Sequence, residues 1–182
     1  MGIGENRRPI APVRPIGAVQ WARDPCYLRR RSNPQVMESG FLVFSHSILR
    51  YAVLLALLYA FFVNLRGVLA QRPILTGERM VTIMAMVLCH VQLVIGIILY
   101  ATRFKSFDQM PEPYKRFWKF EHIGTMVLAI ALITIGRMLS KRAKDERTKQ
   151  MRIVVFYGIG LLLILLSIPW PFREVGHSLG WL

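Results

Sequence analysis

Acid is scarce in this chain: 10 Asp and Glu stand against 24 Lys and Arg in 182 residues, a formal charge of +14. In a soluble protein that excess would point to nucleic acid. Here most of the basic residues border long uncharged runs, where Lys and Arg set topology and meet lipid headgroups, so nucleic acid is set aside as a partner. Cysteine is scarcer still, with Cys26 in a polar extension and Cys89 in mid-run. That placement is poor for a disulfide, and the redox compartment is not readable from it. The sequence holds no glycine-rich phosphate loop, no nucleophile-and-base constellation and no zinc pattern, which removes the basis for a hydrolase or kinase. It has neither an inverted repeat nor a broken mid-span segment, which argues against a transporter. Strands of alternating polarity, the mark of a membrane barrel, are also missing.

What is abundant is apolar sequence, 54% of the chain, sorted into blocks. Runs over 41–63, 80–101, 117–138 and 153–172 each reach the roughly 20 residues that cross a bilayer as helix. The polar stretches between them are 14 to 16 residues long, too short for another domain. These blocks predict an all-α membrane protein, an antiparallel up-down bundle of four transmembrane helices from residue 41 to 173, with a tail at 174–182.

Residues 1–40 differ in kind. They carry five of the ten prolines, seven arginines and no lysine, and no apolar run long enough for a signal-peptide core. Arg7-Arg8 lacks the apolar stretch that follows a twin-arginine signal, and the prolines disfavour a transit peptide. The composition predicts an irregular basic arm, dispensable for folding of the bundle, that either stays a disordered tail or clamps a partner subunit or anionic lipid.

Basic residues bias the orientation. The connections 64–79 and 139–152 share one face, side B, with ten Lys and Arg; the opposite face, side A, has six without the arm and thirteen with it. Short dense loops weigh most, so LSKRAKDERTKQMR places side B in the cytoplasm.

Polar residues inside the spans carry the functional question, because an ionisable group in hydrocarbon needs a partner or a role. His46 stands five residues into the first run and His122 five into the third. Both runs start on side A, so the two are level, roughly 7 to 8 Å deep at 1.5 Å per residue. First and third helices of an up-down bundle are diagonal neighbours, and a haem with two axial imidazoles takes one from each side at matched depth. Polar packing of two histidines near the interface is the alternative. His90 is predicted some 8 Å deeper, suited to a propionate, a second cofactor or a quinone carbonyl, or else to an interhelical hydrogen bond with Gln92, Thr125 or a carbonyl. Arg50, at i+4 from His46, shares its helix face. It offers a cation to a haem propionate or pairs with Glu121 beside His122; Lys119 and Arg103 either serve a second propionate or face headgroups. Glycines 96, 124, 136, 158 and 160 mark close helix approach. Pro169 and Pro171 close the fourth span, with Trp170, Trp118, Tyr51 and Tyr100 at interfacial depth. His177 lies beyond the bundle as a tail residue.

The segments SHSILRY (45–51), CHVQLVIGIILY (89–100), RFWKFEHIGTM (116–126), ITIGRMLSKRAKD (133–145) and IPWPF (168–172) resemble a small four-helix family of Bacteroidetes and related bacteria, commonly labelled cytochrome b-like. The resemblance covers Met37 to about Arg173. It implies four helices in a bacterial inner membrane, and histidines at 46, 90 and 122. Members begin near MESGFLVFSHS, so the arm before Met37 departs from the pattern as an addition or an upstream start. Two readings follow. One is a haem b protein with His46 and His122 on the iron, His90 and Arg50 near the cofactor, and a quinone or redox protein as partner. The other is a non-catalytic accessory subunit of a larger membrane complex, its arm a clamp on a neighbour or on lipid.

Overall fold

The computed structural model describes residues 34–112 and 114–170, a helical protein with four helices long and apolar enough to span a membrane. They are α1 (Pro34–Leu69), α2 (Thr76–Phe107), α3 (Tyr114–Arg142) and α4 (Glu146–Ser167). The arm expected over residues 1–40 lies outside the described residues up to 33, and α1 is already helical from Pro34, ahead of the apolar run at Phe41. The tail expected at 174–182, with His177, also lies outside them.

The helices overrun the apolar blocks that announced them. α2 has 32 residues, roughly 48 Å at 1.5 Å per residue against a hydrocarbon layer of roughly 30 Å, so its ends stand in the headgroups. Polar helix formers such as Glu78, Arg79 and Lys105 continue the helix there, and the connections shrink to 70–75, 108–113 and 143–145. α1 ends in a Schellman turn: Gln71 takes φ 52°, its N–H bonds to the Val68 carbonyl at 3.3 Å, and the Arg72 N–H to that of Gly67 at 3.2 Å. α4 starts on Asp145, whose carboxylate accepts from the Thr148 N–H at 2.8 Å and hydroxyl at 3.0 Å. Those bonds hold the Asp145 carboxyl below the usual carboxylate range.

The fourth helix ends short of its apolar run. It stops at Ser167 rather than reaching Phe172, and Ile168 is extended (φ −69°, ψ 131°). The ring of Pro169 crowds the residue before it out of the α region, which fixes the stop one residue ahead of the proline.

Cross-links give the order round the bundle. Gln92 bonds to the His46 carbonyl and Asn64 to Thr82, joining α1 to α2; Tyr100 bonds to the Lys119 carbonyl, joining α2 to α3. Gly158 lies against Phe61, joining α4 to α1. α3 and α4 make the tightest seam, where a Cβ at Gly136 would overlap that of Phe156 and one at Gly160 would come within 2.7 Å of Ile133. α1 and α3 are therefore diagonal. Of the glycines expected at interfaces, Gly124 has nothing within 4 Å, whereas Gly67, not anticipated, packs on Gln150.

The side-B half is solid. Asn64, 2% exposed, donates to the Ala60 carbonyl at 2.7 Å and to the Thr82 hydroxyl at 3.2 Å. Thr82 donates to the Glu78 carbonyl, and Tyr157 reaches across the core to the Thr82 carbonyl, each at 2.8 Å. Gln150, 1% exposed, donates to the Arg72 carbonyl at 3.1 Å. Each such bond is worth roughly 0.6 kcal/mol in a membrane; the two that reach Thr82 from Asn64 and Tyr157 set the register of α1 and α4 on α2.

Two measurements check this fold. In a background with Cys26 and Cys89 replaced, single cysteines at Gly77 and Lys144, both exposed loop-end positions, react from one side of a sealed vesicle and one at Gln109 from the other. Labelling of Gly77→Cys and Lys144→Cys from opposite sides contradicts the bundle. Gly136→Ala lowers stability in detergent by about 1–3 kcal/mol through overpacking, whereas Gly124→Ala is neutral or stabilising.

Candidate functional site

The side-A half is hollow. A cavity of about 320 Å³ lies among the four helices there, within the roughly 300–1,000 Å³ typical of small-molecule sites. Its walls are mainly apolar, from Val53, Leu93, Ile97, Met126 and Ile164. Its polar groups include His46, Ser47 and Arg50 from α1, Gln92, Tyr100 and Arg103 from α2, and Trp118 and His122 from α3. Among the described residues that line it, none is acidic. His46 and His122, matched in depth by the sequence, thus face one space from diagonal helices.

His122 is the more constrained imidazole. Its Nδ1 lies 3.0 Å from the Ser167 carbonyl, so that nitrogen carries the proton and Nε2 keeps its lone pair. The carbonyl is available because of the sequence SIPWP. In a continuing helix, Leu165 and Ser167 would bond to the N–H groups of residues 169 and 171, and both are proline. The indole Nε1 of Trp170 takes the Leu165 carbonyl at 2.9 Å, and His122 takes that of Ser167. The approach to His122 is a π-helical turn, Phe117–Glu121, in which the His122 N–H bonds to the Phe117 carbonyl. The widened turn, where a plain α-helix was expected, sets Phe117 and Trp118 against the imidazole with ring centroids at 5.8 and 5.5 Å.

His46 is held through its backbone. Gln92 Nε2 donates to its carbonyl at 2.8 Å, and Gly96, one turn further along α2, leaves room for the ring: a Cβ there would stand 3.2 Å from Cε1. The imidazole Nδ1 and the Gln92 Oε1 are both buried with no hydrogen-bond partner among the described residues.

The charged residues sort differently from expectation. Arg50 lines the cavity, donates to the Tyr51 hydroxyl at 3.1 Å and lies 4.8 Å from that ring. Glu121, the alternative partner for Arg50, pairs instead with Arg116 at 2.8 Å. Lys119 is tied to Asp108, which holds the Asp108 carboxyl below the usual carboxylate range, and stands 4.2 Å from the Phe104 ring centroid; Arg103 faces the cavity.

His90 does not join them. It sits on the exposed outer face of the α2–α3 seam, Nδ1 2.8 Å from the Met86 carbonyl and Nε2 3.3 Å from the Thr134 hydroxyl. The residue expected at the cofactor is here an interhelical polar contact, through Thr134 rather than Gln92 or Thr125. One residue is about 100° of helix rotation, and Cys89, its neighbour, takes the inward position and is a free thiol.

Compared with family models, curated proteins and solved structures, the chain gives no match. In the cofactor-free protein, His90→Leu is expected to cost about 0.6 kcal/mol, the average for a membrane hydrogen bond. His122→Ala is expected to cost about 1–3 kcal/mol, because it strands the buried Ser167 carbonyl. Unfolding in detergent measures both, and equal losses contradict the assignment.

Proposed function

We propose that the protein is a membrane cytochrome b-like subunit that binds one haem b between His46 and His122 and takes part in electron transfer. The observation that carries the reading is the pair of imidazoles lining one cavity from diagonal helices, one of them already in the tautomer an Nε2 ligand needs. Among the described residues no three His, Cys, Asp or Glu side chains converge for a bare metal ion. A haem iron, with four ligands from its macrocycle, asks the chain for only two more. The apolar walls suit the macrocycle. Arg50 and Arg103, with no acid among the lining residues, suit its propionates.

Bound haem supplies a one-electron couple. The chain binds the group from both faces, keeps water out on the side-B end through the Asn64–Thr82–Tyr157 network, and fixes His122 through Ser167. The solid side-B end leaves side A as the face for exchange with a quinone or redox-protein partner, within a complex that holds further membrane subunits. The excess of Lys and Arg in the 64–79 and 139–152 segments favours the cytoplasm for side B, in a bacterial inner membrane. The resemblance of the five sequence blocks points to the same class.

Purified protein supplied with haem b is expected to give a six-coordinate, low-spin reduced-minus-oxidised spectrum. His46→Ala and His122→Ala each abolish it, and His90→Leu leaves it intact. An unchanged spectrum in both alanine variants rules out the ligand pair. A wild type that takes up no haem rules out the cytochrome reading and leaves the accessory subunit.

A further inference from the structure

We infer that Gln92 is the positioning residue of His46: its Oε1 accepts the imidazole Nδ1–H, and this fixes the tautomer that presents Nε2 to the cavity. The inference rests on the haem reading and names how the chain orients the second ligand.

Two buried polar atoms of this site lack a partner, and they are complementary. His46 Nδ1 can be a donor and Gln92 Oε1 is an acceptor. A buried donor or acceptor left unpaired is costly, and in a membrane no bulk water compensates it. The two atoms belong to residues already in contact, since Gln92 Nε2 donates to the His46 carbonyl at 2.8 Å. The ring edge that carries Nδ1 is the edge turned to α2. A Cβ at Gly96, on the same helix face as Gln92 at i+4, would lie 3.2 Å from Cε1 and 3.8 Å from Nδ1. In the proposed arrangement the imidazole turns about χ2 so that Gln92 grips His46 twice, at the backbone carbonyl and at the ring. Of the other polar groups beside His46 in the cavity, Arg50 has only donors; the Ser47 hydroxyl can accept, but Gln92 Oε1 is the acceptor that is itself left unpaired.

The result is the arrangement His122 already has. There a backbone carbonyl freed by proline takes the Nδ1–H; at His46 a side-chain carbonyl does. Metal-bound histidines characteristically donate their second nitrogen in this way, and removing the acceptor costs roughly ten- to a hundredfold in metal affinity. Gly96 supports the same geometry, because a methyl group there pushes the ring off α2.

Gln92 has two functions to separate, and two variants separate them. Gln92→Glu loses the donor to the His46 carbonyl and keeps an acceptor, now a stronger one; Gln92→Leu loses both. If Oε1 acts on the ring, Gln92→Glu lowers the haem reduction potential below wild type and Gln92→Leu raises it. Haem retention in Gln92→Leu falls about ten- to a hundredfold. A shift in the same direction for both, or potentials equal to wild type with haem bound, overturns the inference and leaves Gln92 as a backbone clamp. Nitrogen-15 shifts of the His46 ring in the haem-free chain give a second readout. The wild type shows the Nδ1–H tautomer and Gln92→Leu a mixture; an Nε2–H tautomer in the wild type overturns the proposal whether or not haem binds. Failure to take up haem at all counts instead against the cytochrome reading.

Discussion

A polar atom in the hydrocarbon layer has no water to fall back on, and nearly every feature of this bundle answers that constraint. Backbone groups are met by carrying the helices through both headgroup layers, so that their open ends lie in water. Side chains are met in pairs across helix seams. Asn64 with Thr82, Tyr157 with the Thr82 carbonyl and His90 with Thr134 all trade what would be a loss in lipid for a bond that also sets the relative height of two helices. Proline adds the converse problem, a carbonyl with no N–H to meet it. The end of α4 solves it with the indole of Trp170 and the imidazole of His122.

The same constraint makes the unpaired atoms informative. Among the described residues three buried side-chain atoms have no hydrogen-bond partner: Gln150 Oε1 in the side-B half, and His46 Nδ1 and Gln92 Oε1 beside the cavity, and the last two are complementary and belong to residues in contact. Packing tells the same story in another way. Glycines at 136 and 160 bring α3 and α4 close along their length, while at Gly96 the room left by the missing side chain is taken by an imidazole rather than by a neighbouring backbone.

How much of this was legible beforehand depends on what a sequence encodes. Depth along a helix is a linear count, and it set His46 and His122 at one level; both do line one cavity. Azimuth is not, since one residue of error is about 100°. That is why His90, a polar residue at a plausible height, was expected at the cofactor and lies on the outer face. The π-helical turn at Phe117–Glu121 adds a phase change that no apolar periodicity reveals. Helix existence was plain from the apolar blocks, but their ends were not, because Glu, Lys and Arg continue a helix as readily as they leave one. The stop at Ser167 was an exception only in part: Pro169 was visible, and its effect falls on the residue before it. Gly67 escaped notice because it lies past the apolar run, in a helix that did not end there.

One bundle, then, is built of two unlike halves. The half near the 143–145 connection has almost no internal space, and the other half, cross-linked at Gln92, Tyr100 and His122, surrounds the cavity. A filled half and a hollow half answer the same change differently: a methyl group added to a side chain among Leu57, Ile133 and Tyr157 has no room to go, whereas one added on the cavity wall at Val53 or Leu93 meets open space.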